Sequence, residues 1–258
     1  MTYTYGELIL EQIDERLLRI TLSKPPANAL DTNMLRDLKE TLVLKGEACH
    51  PPAVLLTGAG GRFFSAGGDI REFQREGPRC ALNRMKIFHS VLCELEHYPA
   101  PVVAAVRGFA VGGAFEFLLF CDYVVACPSA RFGFPEINHG LLPATKGMRQ
   151  AATVIGRRAA RTLLYSGELI GADEALAIGA IDEIVEVDEV NSKAAVVAEQ
   201  MRSKDQTLFA AIKSSMARSV MMTDTELEEL STLDMQRYLD RNETADARAR
   251  FFQRKQGH

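Results

Sequence analysis

Three short apolar runs constrain this chain more than anything else in it. Residues 53–57 (AVLLT), 101–106 (PVVAAV) and 123–126 (YVVA) each read as a buried strand, and the first two break directly into glycine-containing loops. Residues 16–22 (RLLRITL) alternate like a further strand. Segments with helical spacing lie between these runs: 32–45, with Asp31 placed as N-cap, then 80–97, then the apolar stretch 114–121. From about Thr145 onward the pattern is mainly helical, with helices expected over 190–201, 206–220 and 225–253. Strands alternating with helices and then helices alone predict an α/β chain with a parallel core. The division is expected near 203, where polar residues cluster, giving a core over 1–202 and a helical segment over 203–258. Leu227, Leu230, Leu233 and Met235 of that segment need a surface to cover. The core or another subunit would serve, and self-association is the expectation.

Composition narrows the function classes. The 258 residues are 47% hydrophobic, enough for one substantial domain. A net charge of -4 argues against broad attraction to nucleic acid or to an anionic membrane. No apolar run is long enough to span a bilayer, and no basic, then apolar, leader pattern opens the sequence. Cys49, Cys80, Cys93, Cys121 and Cys127 are odd in number and scattered without CxxC spacing, as expected of reduced thiols in the cytoplasm. The five histidines form no ligand-like cluster, so no metal site is expected. No serine sits in GxSxG and no cysteine sits in a nucleophile setting.

Two glycine loops and two glutamates carry the chemistry. Residues 60–70 (GGRFFSAGGDI) follow the first apolar strand. Small residues there admit close approach of a ligand to the backbone, although neither GxGxxG nor GxxxxGK[ST] is present, and a tight strand-to-helix connection would look the same. Residues 107–116 (RGFAVGGAFE) follow the second apolar strand and open an apolar helix. Gly112 and Gly113 are placed at the helix N-terminus, where unpaired N–H groups can serve a developing oxyanion. Close helix–strand packing is the alternative use of glycine there. Glu116 has apolar neighbours on both sides, so it needs an ion-pair partner or a chemical role. Burial would raise its pKa into a range useful for proton transfer. Glu136 follows Pro135 and falls on a loop or in the first turn of a helix, where a carboxylate is also favoured by the dipole.

Together these segments resemble the enoyl-CoA hydratase/isomerase (crotonase) family over nearly the whole chain. The matching pieces are 24–30 (KPPANAL), 64–70 (FSAGGDI), 101–108 (PVVAAVRG) with 112–116 (GGAFE), 121–126 (CDYVVA) and 132–136 (FGFPE), in family order. The resemblance implies an α/β fold of the crotonase type, a spiral of ββα units with a helical C-terminal region, assembled as a homotrimer or as a hexamer of paired trimers. It implies that the N–H groups of Gly68 and Gly113 hold the thioester oxygen. Ala66, Asp69 and Ile70 would line the CoA groove with Gly68, and Ala27 and Ala29 would contact the adenine and pantetheine side through their backbone. Glu116 and Glu136, 20 positions apart (136 − 116) as in the family, would be the acid–base pair. Glu116 would take a proton from water and Glu136 would protonate the α-carbon.

The implied reaction is addition of water to a 2-enoyl-CoA, with the CoA thioester as substrate and no separate cofactor. Both glutamates are present, which favours hydration over double-bond isomerisation or decarboxylation on the same scaffold. The Ala114 that replaces a third glycine is shared with the decarboxylase branch. A CoA- or RNA-binding member without turnover is the third reading, disfavoured by net charge and by the glutamates. Whether CoA or an acyl carrier protein presents the acyl group is left open. The segment 140–150 (GLLPATKGMRQ) departs from the family by replacing two glycines and introducing Lys146. The expectation is that Lys146 meets a polar or carboxylated acyl group, a solvated lysine near a helix start being the bland alternative. Lys24 and Arg71 are candidates by position for the CoA phosphates. Tyr238 is placed at the position that covers adenine from a neighbouring subunit, in a C-terminal helix that reads as shorter than usual before Phe251-Phe252.

Overall fold

The computed structural model describes residues 2–76, 78–220 and 222–239. Its strands are β1 (Thr2–Tyr5), β2 (Leu8–Asp14), β3 (Leu17–Leu22), β4 (Ala53–Gly58), β5 (Phe63–Ser65), β6 (Val102–Val106), β7 (Phe109–Val111), β8 (Tyr123–Ala126), β9 (Arg131–Gly133), β10 (Leu169–Gly171) and β11 (Glu183–Ile184). Its α-helices are α1 (Thr32–Gly46), α2 (Ile70–Glu76), α3 (Pro78–His97), α4 (Gly113–Leu118), α5 (Thr145–Val154), α6 (Gly156–Ser166), α7 (Ala172–Ala177), α8 (Val190–Arg202), α9 (Gln206–Ser219) and α10 (Asp224–Leu239).

A seven-stranded sheet runs in the order β1-β2-β3-β4-β6-β8-β11. The first three strands are antiparallel neighbours, and pairing is parallel from β3 to β11. Every residue of β4 and β6 is buried. That explains their unbroken apolar sequence, because a parallel sheet covered on both faces has no solvent side to mark with polar residues. A second sheet, β10-β9-β7-β5, is built from strands of three residues. Each long strand of the core hands over to a short strand of the second sheet and then to a helix: β4, β5 and α2; β6, β7 and α4; β8, β9 and then α5. This is the ββα spiral.

Several elements depart from the sequence reading. Strands β1 and β2 were not expected, since Thr2–Tyr5 is exposed and the polar Glu11, Gln12 and Asp14 break the run of Leu8–Asp14. The second sheet escaped notice because three residues carry no readable period. The region after Thr145 is not purely helical, as it contains β10 and β11. The apolar helix begins at Gly113 and ends at Leu118, with Leu119 as its cap, rather than running to 121. Asp31 caps α1, its side chain accepting from the Met34 N–H.

Helix α8 packs on β4, β6 and β8. Helix α9 rests on α3, and its Lys213 donates to Asp122 in the core at 2.6 Å. Helix α10 lies on α9. Leu230 is buried, whereas Leu233 and Met235 are exposed. The expected helix over 225–253 is seen from Asp224 to Leu239; its remainder, and Phe251-Phe252, lie outside the described residues.

Candidate active site

Asn28 ties two loops together. It is buried at φ +51°, a left-handed conformation that asparagine tolerates better than most residues. Its side-chain amide donates to the carbonyls of Ala59 (3.0 Å), Phe63 (2.9 Å) and Phe64 (3.3 Å), while its oxygen accepts the Lys24 N–H at 3.0 Å. Residues 27–30 therefore lie along 66–69 as a short parallel ladder: Ala66 N–H to Ala27 O at 2.9 Å, Leu30 N–H to Gly67 O at 2.8 Å, Asp69 N–H to Leu30 O at 3.0 Å. In a parallel bridge of this kind the groups flanking Gly68 bond to Leu30, so the N–H of Gly68 itself faces the opposite edge.

The second glycine loop closes on the first. Strand β5 pairs with β7, and Gly67 (φ +80°) lies so near the next loop that a Cβ there would sit 2.6 Å from the Val111 carbonyl and 3.3 Å from the Gly113 nitrogen. Gly112 is the N-cap of α4 and Gly113 its first residue, as the sequence reading placed them. The Gly113 N–H is thus one of the helix's unpaired donors. Space is also tight at that glycine, because a Cβ on it would lie 2.9 Å from the Phe88 ring of α3.

The ladder gathers Ala27, Ala29, Ala66, Gly68 and Asp69, and Ile70 follows as the exposed first residue of α2. Arg71 presents its N–H to the Asp69 carboxylate at 2.9 Å. Lys24 does not stand free for a phosphate. Its ammonium is paired with Asp31 and lies 3.1 Å from Glu7 and 3.7 Å from Asp69, three carboxylates that compete with any anionic ligand.

Glu116 is buried in α4, and among the described residues no cation pairs with it. Its Oε1 accepts the Ala144 N–H at 3.3 Å. Burial pushes its pKa up to about 8; the Ala144 N–H opposes this and the negative charge of Glu136 adds to it. Glu136 stands in the first turn of a 3₁₀ segment, Pro135–His139, and burial raises its pKa too. Each of the two carboxyl groups keeps one buried oxygen, Oε2, without a hydrogen-bond partner among the described residues. Buried carboxyl oxygens without partners are rare and ask for an explanation.

Room for each carboxylate comes from a glycine on another segment. A Cβ on Gly147 of α5 would lie 1.7 Å from Glu116 Oε2, and one on Gly112 would lie 2.5 Å from Glu136 Oε1. The sequence reading did not assign Gly147 or Ala144 to the site, and it gave Gly112 only a place at the helix terminus. It also passed over Arg84 and Phe88, whose spacing of four on α3 is the signal that was there to read. Arg84 Nη2 is 3.4 Å from a Cβ built on Gly68, and Nη1 donates to the Asp69 carbonyl at 2.7 Å. Phe88 stacks on Phe117 at 5.3 Å. Helix α3 thus borders both Gly68 and Gly113.

Lys146 is neither solvated nor free for an acyl carboxylate. Its ammonium is paired with Glu96 of α3 and lies 5.4 Å from the centre of the Phe120 ring. Tyr238 sits half-buried on α10.

The chain as a whole is similar to known proteins. The enoyl-CoA hydratase/isomerase family model covers residues 12–258. A crotonyl-CoA hydratase of Syntrophomonas wolfei is 31% identical over 86% of this chain and 85% of its own length. A short-chain-enoyl-CoA hydratase of Clostridium acetobutylicum is 33% identical over 83% of this chain and 82% of its own. A Mycobacterium smegmatis structure described as an enoyl-CoA hydratase superposes with a TM-score of 0.89 at 26% identity, covering 97% of each chain. The chain belongs to the enoyl-CoA hydratase/isomerase family.

Proposed function

We propose that this enzyme adds water reversibly to the C2=C3 bond of a 2-enoyl-CoA, giving a 3-hydroxyacyl-CoA. The observation that carries this reading is the pair of buried carboxyl groups, Glu116 and Glu136, each with an Oε2 that has no partner among the described residues. Two such carboxyls, near enough that the charge of Glu136 raises the pKa of Glu116, suit a water molecule bound at the pair. The relatives whose printed names are crotonyl-CoA hydratase and short-chain-enoyl-CoA hydratase support the same reaction.

In this reading the N–H groups of Gly68 and Gly113 receive the thioester oxygen, where charge develops as the β-carbon is attacked. Glu116 takes a proton from water while the hydroxyl oxygen bonds to C3. Glu136 delivers its proton to C2 as the enolate collapses. One proton has then moved from Glu136 to Glu116 and returns through exchange within the pair. The chemistry needs one proton shared by the two carboxyls, and mutual repulsion between buried carboxylates favours that singly protonated state. The raised pKa of Glu116 favours the proton on that residue in the free protein, the arrangement needed for the reverse dehydration.

Acid–base chemistry of this kind draws on no metal or redox cofactor; the CoA thioester is the substrate. Recognition of CoA falls to the ladder of Ala27, Ala29, Ala66, Gly68, Asp69 and Ile70, mainly through main-chain groups. Assembly into trimers or paired trimers is part of the proposal. Ile212, Met216 and Val220 of the α9 region and Met235 and Leu239 of α10 are exposed apolar side chains that a second copy would cover. Nucleic acid is not among the expected partners. No described helix is long and apolar enough to cross a membrane.

The test is loss of the conjugated enoyl-thioester absorbance on mixing protein with crotonyl-CoA, beside Glu136→Gln. Rapid loss in the wild type and a fall of about a hundredfold or more in the variant is the expected result. Turnover of a β,γ-enoyl-CoA or of a carboxyacyl-CoA, with crotonyl-CoA untouched, would replace hydration by isomerisation or decarboxylation.

A further inference from the structure

Helix α5 carries three contacts that converge on the end of α4. Ala144, the N-cap of α5, donates its N–H to Glu116 Oε1, and its carbonyl accepts the first helical bond of α5, from Met148 at 2.9 Å. Gly147, one residue past Lys146, leaves the space into which Glu116 Oε2 projects. Gln150, four residues after Lys146 and so on the same face, donates to the Leu119 carbonyl at 2.8 Å. The position of α5 therefore sets both the hydrogen bond and the free volume that Glu116 meets.

Lys146 links that position to α3. Its side chain is 9% exposed and its partner Glu96 is 10% exposed. Its ammonium also lies 5.4 Å from the ring centre of Phe120, four residues after Glu116. One side chain thus bridges α3, α5 and the end of α4. Two further cations face Glu96: Arg149 Nη2 at 3.6 Å, and the His97 ring at 3.7 Å when protonated. A buried ion pair of this kind adds little net stability over an apolar pair of the same size, and in some proteins such groups instead specify one arrangement of the elements that carry them.

We propose that the Lys146–Glu96 pair is a positioning device for the acid–base centre. It holds α5 in the register that keeps the Ala144 N–H on Glu116 and the Gly147 gap open to it. Lys146 touches neither substrate nor reacting atoms in this account. The proposal rests on the reading of Glu116 as a proton-transfer group.

The test compares Lys146→Met, Lys146→Arg and the double variant Lys146→Met/Glu96→Met with the wild type, using crotonyl-CoA. The double variant removes both buried charges, leaving the half-exposed Arg149 to solvent, and replacing a buried ion pair by apolar residues of similar size is often neutral or stabilising, so it meets a purely structural need for a packed contact better than the single variant does. The expected result is a double variant of wild-type melting temperature whose kcat is about tenfold or more lower, with KM within about twofold. The limb of its pH profile that belongs to Glu116 should move by about half a unit or more, and Lys146→Arg should restore most of the rate. A folded double variant with wild-type kcat and an unmoved limb would overturn the proposal. The Glu116 carboxyl is also read directly, by infrared difference titration with Glu116→Gln as the blank. A wild type that hydrates no enoyl-CoA defeats the proposed reaction, whereas an unshifted Glu116 titration in the double variant defeats the clamp, whichever way the first result falls.

Discussion

At the scale of single residues, the site is a matter of where a carboxyl can be buried and what makes space for it. Burial, with the charge of Glu136 added, pushes the Glu116 pKa up to about 8 against the single N–H it accepts. The pair must hold one proton to act, so kcat/KM for crotonyl-CoA should fall as pH rises through about 8, where that proton is lost. Glu116→Gln should flatten this limb along with removing most of the activity. A pH–rate profile checks both, and an unchanged limb in the variant would assign it elsewhere. Gly147 offers a second handle. A methyl group there would meet Glu116 Oε2 at 1.7 Å, so Gly147→Ala must displace the carboxyl. The expected outcome is a loss of about a hundredfold in kcat with a folded protein, measured by steady-state kinetics beside circular dichroism.

At the scale of elements, the parallel ladder of 27–30 with 66–69 is held by one side chain. Asn28→Ala removes three donated bonds and one accepted bond, and leaves alanine at φ +51°. A loss of about 2–4 kcal/mol in unfolding free energy is expected by denaturant titration, from bonds left unpaired and from left-handed strain. Elements were legible in the sequence in proportion to their length and uniformity. The strands β4, β6 and β8 announced themselves because they are buried on both faces, and α1 because Asp31 caps it. Strands β5, β7, β9 and β10 did not, being three residues long with no room for a period. The glutamates could be picked out by their surroundings, Glu116 above all, with apolar residues on both sides. The partners that shape their pockets could not: Gly147 and Ala144 meet Glu116 only after the chain has turned through the 3₁₀ segment, and Lys146 pairs with a residue 50 positions earlier. Such long-range pairing has no local trace.

At the scale of the whole molecule, the ββα spiral runs from β4 to α5, and the last helices, α9 and α10, carry apolar side chains turned outward. Met216 is 68% exposed and Met235 is 55% exposed. Assembly through this face predicts a sedimentation coefficient of a trimer or hexamer for the full chain at micromolar concentration. Replacing Met216 and Met235 together by glutamate should lower the assembly state. A monomeric wild type would remove the trimer from the proposal.

The division of labour between main chain and side chain has a consequence for descent. The proposed grip on the thioester is made of peptide groups, which every residue carries, whereas the acid–base work rests on two side chains, each a few nucleotide changes from something else. A gene copy can therefore exchange a glutamate and keep its hold on the substrate's handle. Variation in such a lineage alters what is done to the acyl group long before it alters what is picked up, and a family grown this way would share an address while differing in trade.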